Sequence, residues 1–163
     1  MYYVALARKY YDTIPLYVRI FYGGLLFRIW GAYPIYKGMK NYELSLKHFI
    51  HLLNQKASLT IFPEGKMTRD GNLNEGHGGV AYMSWKTGCP VIPVGIKNIY
   101  KLGFLDFITA RRKVSITFGQ PFFPFGAPGG EDNEKEPTVD ECKIKAGDIM
   151  KKISLLLDTT PDR

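Results

Sequence analysis

The sequence predicts an α/β fold: a layered domain with a mainly parallel central sheet flanked by helices. Three observations carry that prediction. Stretches with apolar residues at helical spacing recur along the chain. Short, almost wholly apolar runs stand between them, as in strands covered on both faces. Glycine and proline punctuate the joins. The 163 residues are 45% hydrophobic and 23% charged, enough for a core within a single domain spanning 1–163.

The first stretch, TIPLYVRIFYGGLLFRIWGAYPIY (13–36), is the most apolar. Arg19 and Arg28 interrupt it, and Gly23, Gly24 and Gly31 punctuate it. Two readings stand: a pair of short amphipathic helices at a membrane interface, or a buried helix and a loop. AYPIYK (32–37) reads as a short strand. A helix is expected over 41–55, because Leu46, Phe49, Ile50 and Leu53 form one stripe. His48 and His51 lie off that stripe and read as solvated or partly packed. A buried strand follows at 58–62.

Residues 77–87 read as a helix ended by Gly88 in the left-handed conformation. PVIPVGI (90–96) has the look of a central parallel strand. KVSITFGQP (113–121) alternates Val114, Ile116 and Phe118, the pattern of a further strand. The stretch 121–137 is rich in proline, glycine and acid, and reads as a surface loop. A last helix is expected over about 139–157, with Val139, Cys142, Ala146, Ile149, Ile153 and Leu156 recurring at threes and fours. No internal repeat is visible.

The candidate chemistry lies in IFPEGKMTRDG (61–71). In open α/β sheets ligands sit at the carboxyl ends of strands. Phe62-Pro63-Glu64-Gly65 is such an end. Proline stops the ladder, and glycine permits a sharp bend or a close approach. Glu64 can accept hydrogen bonds from ligand hydroxyls, while Lys66 and Arg69 can hold a phosphate. The residues therefore support a polyol-phosphate site. The alternative is an ordinary strand-to-turn connection with solvated charges.

The formal net charge of +7 points to an anionic partner: nucleic acid, a phospholipid surface or a phosphorylated metabolite. Eleven tyrosines and ten phenylalanines suit a membrane interface and equally a single nucleic-acid strand. No helix-turn-helix, RNP or zinc signature is present, so nucleic acid is not expected. No stretch of about 18 uncharged apolar residues suggests a membrane span. The first residues lack the pattern of a secretory leader. Cys89 and Cys142 fit no metal-ligand or redox spacing and read as reduced thiols of an intracellular protein, Cys89 in the core.

FPEGKMTRDG resembles the FPEG block of the glycerolipid acyltransferases, the family of 1-acylglycerol-3-phosphate (lysophosphatidic acid) acyltransferases. Upstream, GAYPIYKG is similar to that family's Gly-x-x-Pro/Phe-Ile/Val-x-Arg block, with Gly31, Pro34, Ile35 and Lys37 in register. Downstream, HGGVAYMSWKTGCPVIPVGI resembles its Gly-x-Ala-x-x-Ala-x-x-x-Gly-x-Pro-Val-x-Pro-Val segment. ITFGQPF is similar to its Val-x-Phe-Gly-x-Pro strand end. The resemblance covers about residues 4–157.

The resemblance implies a glycerol-3-phosphate acyltransferase-like layered fold. It implies transfer of a fatty acyl group from acyl-CoA or acyl carrier protein (acyl-ACP) to a lysophospholipid hydroxyl, with 1-acylglycerol-3-phosphate as the expected acceptor. No bound cofactor and no metal are implied, and the expected place is peripheral, on the cytoplasmic side of an anionic membrane surface. Lys37, Phe62, Pro63, Glu64, Gly65, Lys66 and Arg69 carry over as substrate-binding positions. In the family a His-x-x-x-x-Asp block supplies the base and its orienter. This sequence has no such block: five residues after His48, His51 and His77 stand Leu53, Lys56 and Tyr82. The opening YYVALARKYYDTIPLYVRIF reads as the segment that follows the block. The expectation is an N-terminally truncated acyltransferase domain, inactive alone, with an exposed sheet edge that favours self-association. The alternative is a non-catalytic binder of anionic membranes. Three departures bear on the acceptor. Lys37 stands for arginine, Lys66-Met67 stand where Thr-Arg is common, and His77 stands where lysine or arginine is frequent.

Overall fold

The computed structural model describes residues 2–6, 32–35, 41–66, 68–109, 111–130 and 135–159. In chain order the elements are β1 (Tyr2–Leu6), β2 (Ala32–Ile35), α1 (Tyr42–Asn54), β3 (Leu59–Thr60), α2 (Gly79–Thr87), β4 (Val94–Lys97), α3 (Phe104–Ile108), β5 (Ser115–Phe118) and α4 (Val139–Thr159). Strands and helices do alternate. The expected pair of amphipathic helices, and Lys37 with them, lie outside the described residues.

The sheet differs from the expectation. The described strands form two small sheets: β2-β1-β3, with both pairings parallel, and an antiparallel β4-β5 pair. A single, mainly parallel central sheet is not shown among the described residues. The run 90–96 is apolar throughout, the pattern expected of a central parallel strand. Its partner is instead β5, the antiparallel strand nearby in sequence, with Val94 opposite Phe118 and Ile96 opposite Ile116. A continuous apolar run reports burial, and burial does not specify strand direction. β1 was not expected as a strand, although YYVAL is rich in residues that suit one. Pro34 has no N–H to donate and stands in the edge strand β2.

The helices follow their local signals. Asn41 caps α1: its Oδ1 accepts the Leu44 N–H at 3.2 Å. Gly88 ends α2 at φ +64°, the left-handed turn that glycine adopts without strain. A reciprocal cap opens α4. The Glu141 N–H donates to Thr138 Oγ1, and the Glu141 carboxylate accepts the Thr138 N–H at 2.6 Å. The Thr138 N–H and, after it, the Thr138 hydroxyl donate to the Glu141 carboxylate, favour its ionised form and hold it below its ordinary pKa. No helix among the described residues is long and apolar enough to cross a membrane.

The core forms where α1, α2 and α4 meet. Leu46, Phe49, Tyr82, Met83 and Cys142 are buried together, with Ile50, Leu53, Leu59 and Ile61 against them. The expected stripe of α1 therefore faces inward, and Leu52 joins it. Cys142, not Cys89, is the cysteine buried in the core; both thiols are free. Burial pushes the Cys142 thiol up to about 11. Gly78 fits where it does because a Cβ there would meet Cys142 Cβ at 2.8 Å and Tyr42 Oη at 2.7 Å. The stretch 121–137 is a surface loop only in part. Phe122 bridges to Val91 in both directions, and Pro124 is buried.

α4 also packs on the β4-β5 pair. Gly95 and Gly119 leave room for it: a Cβ at either would approach Leu156 to about 3.1 and 3.2 Å. The opposite face of the pair carries Ile116 and Phe118, which stay 58% and 70% exposed.

Candidate functional site

β3 is two residues long, and its carboxyl end runs straight into the expected site. Residues 62–65 make a turn closed by the Gly65 N–H donating to Phe62 O at 3.1 Å. Gly65 takes φ +59°, a left-handed conformation that costs glycine nothing. Proline at the second position pre-sets the turn. Pro63 O accepts the His77 N–H at 2.8 Å, which fastens the turn to the segment leading into α2.

Glu64 is partly buried and already engaged. Its Oε2 accepts the Asn74 backbone N–H at 2.7 Å and the Asn74 Nδ2 at 2.8 Å. The two bonds close an excursion of ten residues, so that the cation-bearing loop starts and ends at one carboxylate. Sequence reasoning missed Asn74. The only signal was a side-chain amide within reach of the loop's far end, and sequence spacing does not show which loop residue turns back.

Within the excursion a second cluster orders the chain. Asp70 Oδ1 accepts the Thr68 hydroxyl at 2.9 Å and the Asn72 N–H at 3.0 Å, and Oδ2 accepts Asn72 Nδ2 at 3.0 Å. Chief among the causes, the Asn72 side chain holds the Asp70 carboxyl down at about 2. Tyr100 reaches across to donate its hydroxyl hydrogen to Arg69 O.

The site residues fall as follows. Phe62 is 61% exposed at the rim of the turn. Pro63 and Gly65 shape it. Lys66 and Arg69 are exposed on the excursion. His77 is exposed at the lead-in to α2, and His51 sits 3.1 Å from Gln55 Nε2 on the outer side of α1. Among the described residues no cluster of three or more His, Cys, Asp or Glu is placed to hold a metal ion. The turn thus brings together one partly buried carboxylate, a short loop tied down at both ends and two solvent-facing cations. Such a corner can offer hydrogen bonds to hydroxyls and charge to an anion.

No solved structure matches the chain. The family model described as Acyltransferase matches residues 14–97, just over half of the sequence, a span that runs from the apolar stretch through the 62–74 corner to the end of β4. The chain belongs to the acyltransferase family, and by family it is a transferase of acyl groups.

Proposed function

We propose that this is a glycerolipid acyltransferase domain whose 62–74 corner binds the head group of a lysophospholipid, 1-acylglycerol-3-phosphate being the acceptor that fits the charges. The observation that carries the reading is the Glu64–Asn74 brace, which holds Lys66 and Arg69 on one tied loop at a strand end. Glu64 orients an acceptor hydroxyl or the loop that receives it. Arg69, with Lys66 and Lys37, neutralises the phosphate. Phe62 lies beside the acyl chain.

In the reaction the acceptor hydroxyl oxygen attacks the carbonyl carbon of a thioester supplied by acyl-CoA or acyl-ACP. An ester bond forms, the carbon–sulfur bond breaks, and the hydroxyl proton passes to a base while the thiol leaves. A general base of this kind commonly contributes about 10² to 10⁴ in rate. None of the histidines here has an aspartate five residues on. The 163 residues alone are therefore expected to bind acceptor without turning it over.

The test uses the purified chain with lysophosphatidate and acyl-CoA. No product above the uncatalysed rate is expected, and activity should appear once a His-x-x-x-x-Asp segment precedes Met1. Turnover by the chain itself would overturn the assignment of the missing base. Arg69→Ala should weaken lysophosphatidate binding by about tenfold, the worth of one charge-assisted contact. An unchanged affinity would remove the corner from the acceptor site.

A second reading is supported by the net charge and by the exposed Ile116 and Phe118: a peripheral, non-catalytic binder of an anionic membrane surface on the cytoplasmic side. Co-sedimentation with anionic and neutral vesicles separates the two readings. Equal binding to both vesicles would strip this reading of its electrostatic part.

A further inference from the structure

A cleft of about 480 Å³ opens at the far side of the 62–74 corner, lined by that corner's Asp70, Gly71 and Asn72 together with Asn98, Tyr100 and Arg111–Lys113. Its walls are built from side-chain and backbone bonds. Tyr100 stands at the centre. Its hydroxyl donates to Arg69 O, and its own carbonyl accepts from Arg112 Nη1 at 2.8 Å. Gly71, at φ +92°, lies so close that a Cβ would stand 3.0 Å from the Tyr100 ring. Asn98 takes the left-handed φ of +66°, and its Nδ2 donates to Lys113 O at 3.1 Å. The run 111–113 is thereby tied to the 98–101 segment at two points.

The charge within the cleft is one-sided. Arg111, Arg112 and Lys113 face a single carboxylate, Asp70, for a balance of two positive charges. Both oxygens of Asp70 already accept bonds from its own loop. The ion pair of Lys86 with Glu43 is remote in sequence from this run. Arg112 spends one donor on Tyr100 and retains others in its planar fork. A concave, donor-rich and net-positive space of this volume suits a phosphorylated small molecule.

We propose that this cleft is a binding site for a phosphate monoester or diphosphate group, held by Arg111, Arg112 and Lys113 against the Tyr100 wall. The group can belong to a soluble phosphoester or to a lipid head group. The inference does not depend on the acceptor reading of the 62–74 corner, because it uses different cations.

The experiment titrates the full chain with sodium pyrophosphate, and separately with phosphatidylcholine vesicles with and without phosphatidate. The variant is Arg111→Ala/Lys113→Ala, and the control is Lys143→Ala/Lys151→Ala, which removes the same charge from exposed positions of α4. Unchanged circular dichroism and melting temperature establish that each variant is folded. At least one probe should bind, and the cleft variant should weaken that binding about tenfold or more while the control changes it less than about twofold. Dependence in the pyrophosphate arm alone assigns a soluble phosphoester, and dependence in the phosphatidate arm alone assigns a lipid head group. Failure of both probes to bind, or equal losses in variant and control, overturns the proposal. Direct titration needs no acyl transfer, so this result and the turnover test fail independently.

Discussion

The three-helix meeting of α1, α2 and α4 and the two-stranded β4-β5 ribbon both show clear apolar periodicity, yet they use it in opposite ways. In α1 the apolar stripe turns inward, and Leu46 and Phe49 are almost wholly buried. In β5 the apolar set turns outward. Gly95, opposite Thr117, gives α4 its close approach, while Ile116 and Phe118 occupy the other face and remain exposed. The difference teaches that periodicity identifies a face, whereas contact decides whether that face is covered. The glycines decide it here, because an α-helix can come nearest where Cβ atoms are missing.

The comparison is broken most strongly at Phe49. Phe49→Ala removes a ring 1% exposed at the helix meeting, and should cost about 3–5 kcal/mol, enough to unfold a marginal domain. Chemical denaturation checks this, and a loss near 1 kcal/mol would mean the core is loose enough to collapse around the gap. Phe118→Ser is the matched change on the ribbon. It should alter stability by no more than about 0.5 kcal/mol, as exposed substitutions do. A loss of several kcal/mol would show that the outward face is covered when the chain is folded in solution.

The smallest expected effect lies in the loop 68–72, ordered by polar bonds rather than by burial. Asp70 is held at about 2, below its ordinary 3.8. A carboxyl with a depressed folded value adds stability that is complete above the unfolded value. That contribution fades as pH falls from about 3.8 through about 2. The group is fully exposed, so the effect is modest. Following the Asp70 carboxyl by NMR through an acid titration reads it directly. A midpoint near 3.8 would mean the loop bonds do not persist in solution.

Several elements were legible because their causes are local. Helices α1 and α4 follow from apolar spacing, and the end of α2 from Gly88 after a helical run. The turn at 62–65 follows from Pro63 and Gly65. Other features were not legible, each for its own reason. The direction of β4 was misjudged because an apolar run looks the same in either pairing. Cys89, expected in the core, is only partly buried, while Cys142, on the apolar recurrence of α4, is carried into the meeting of three helices. At the site, the turn and its exposed cations were foreseen, but the partner of Glu64 was not. Asn74 lies ten residues away, and only the closed loop brings it within 2.8 Å.

By itself, then, the sequence determined helices α1, α2 and α4, the turn at the end of β3 and the resemblance that points to acyl transfer; the short α3 was not among its expectations. Those depend on neighbours within a few residues, where backbone preference and periodicity act. The tertiary structure alone decided which apolar face is covered, what Glu64 holds, and that residues 70–72 and 111–113 share one cleft. Each of these depends on chain segments distant in sequence meeting in space, and so on the packing of the whole fold.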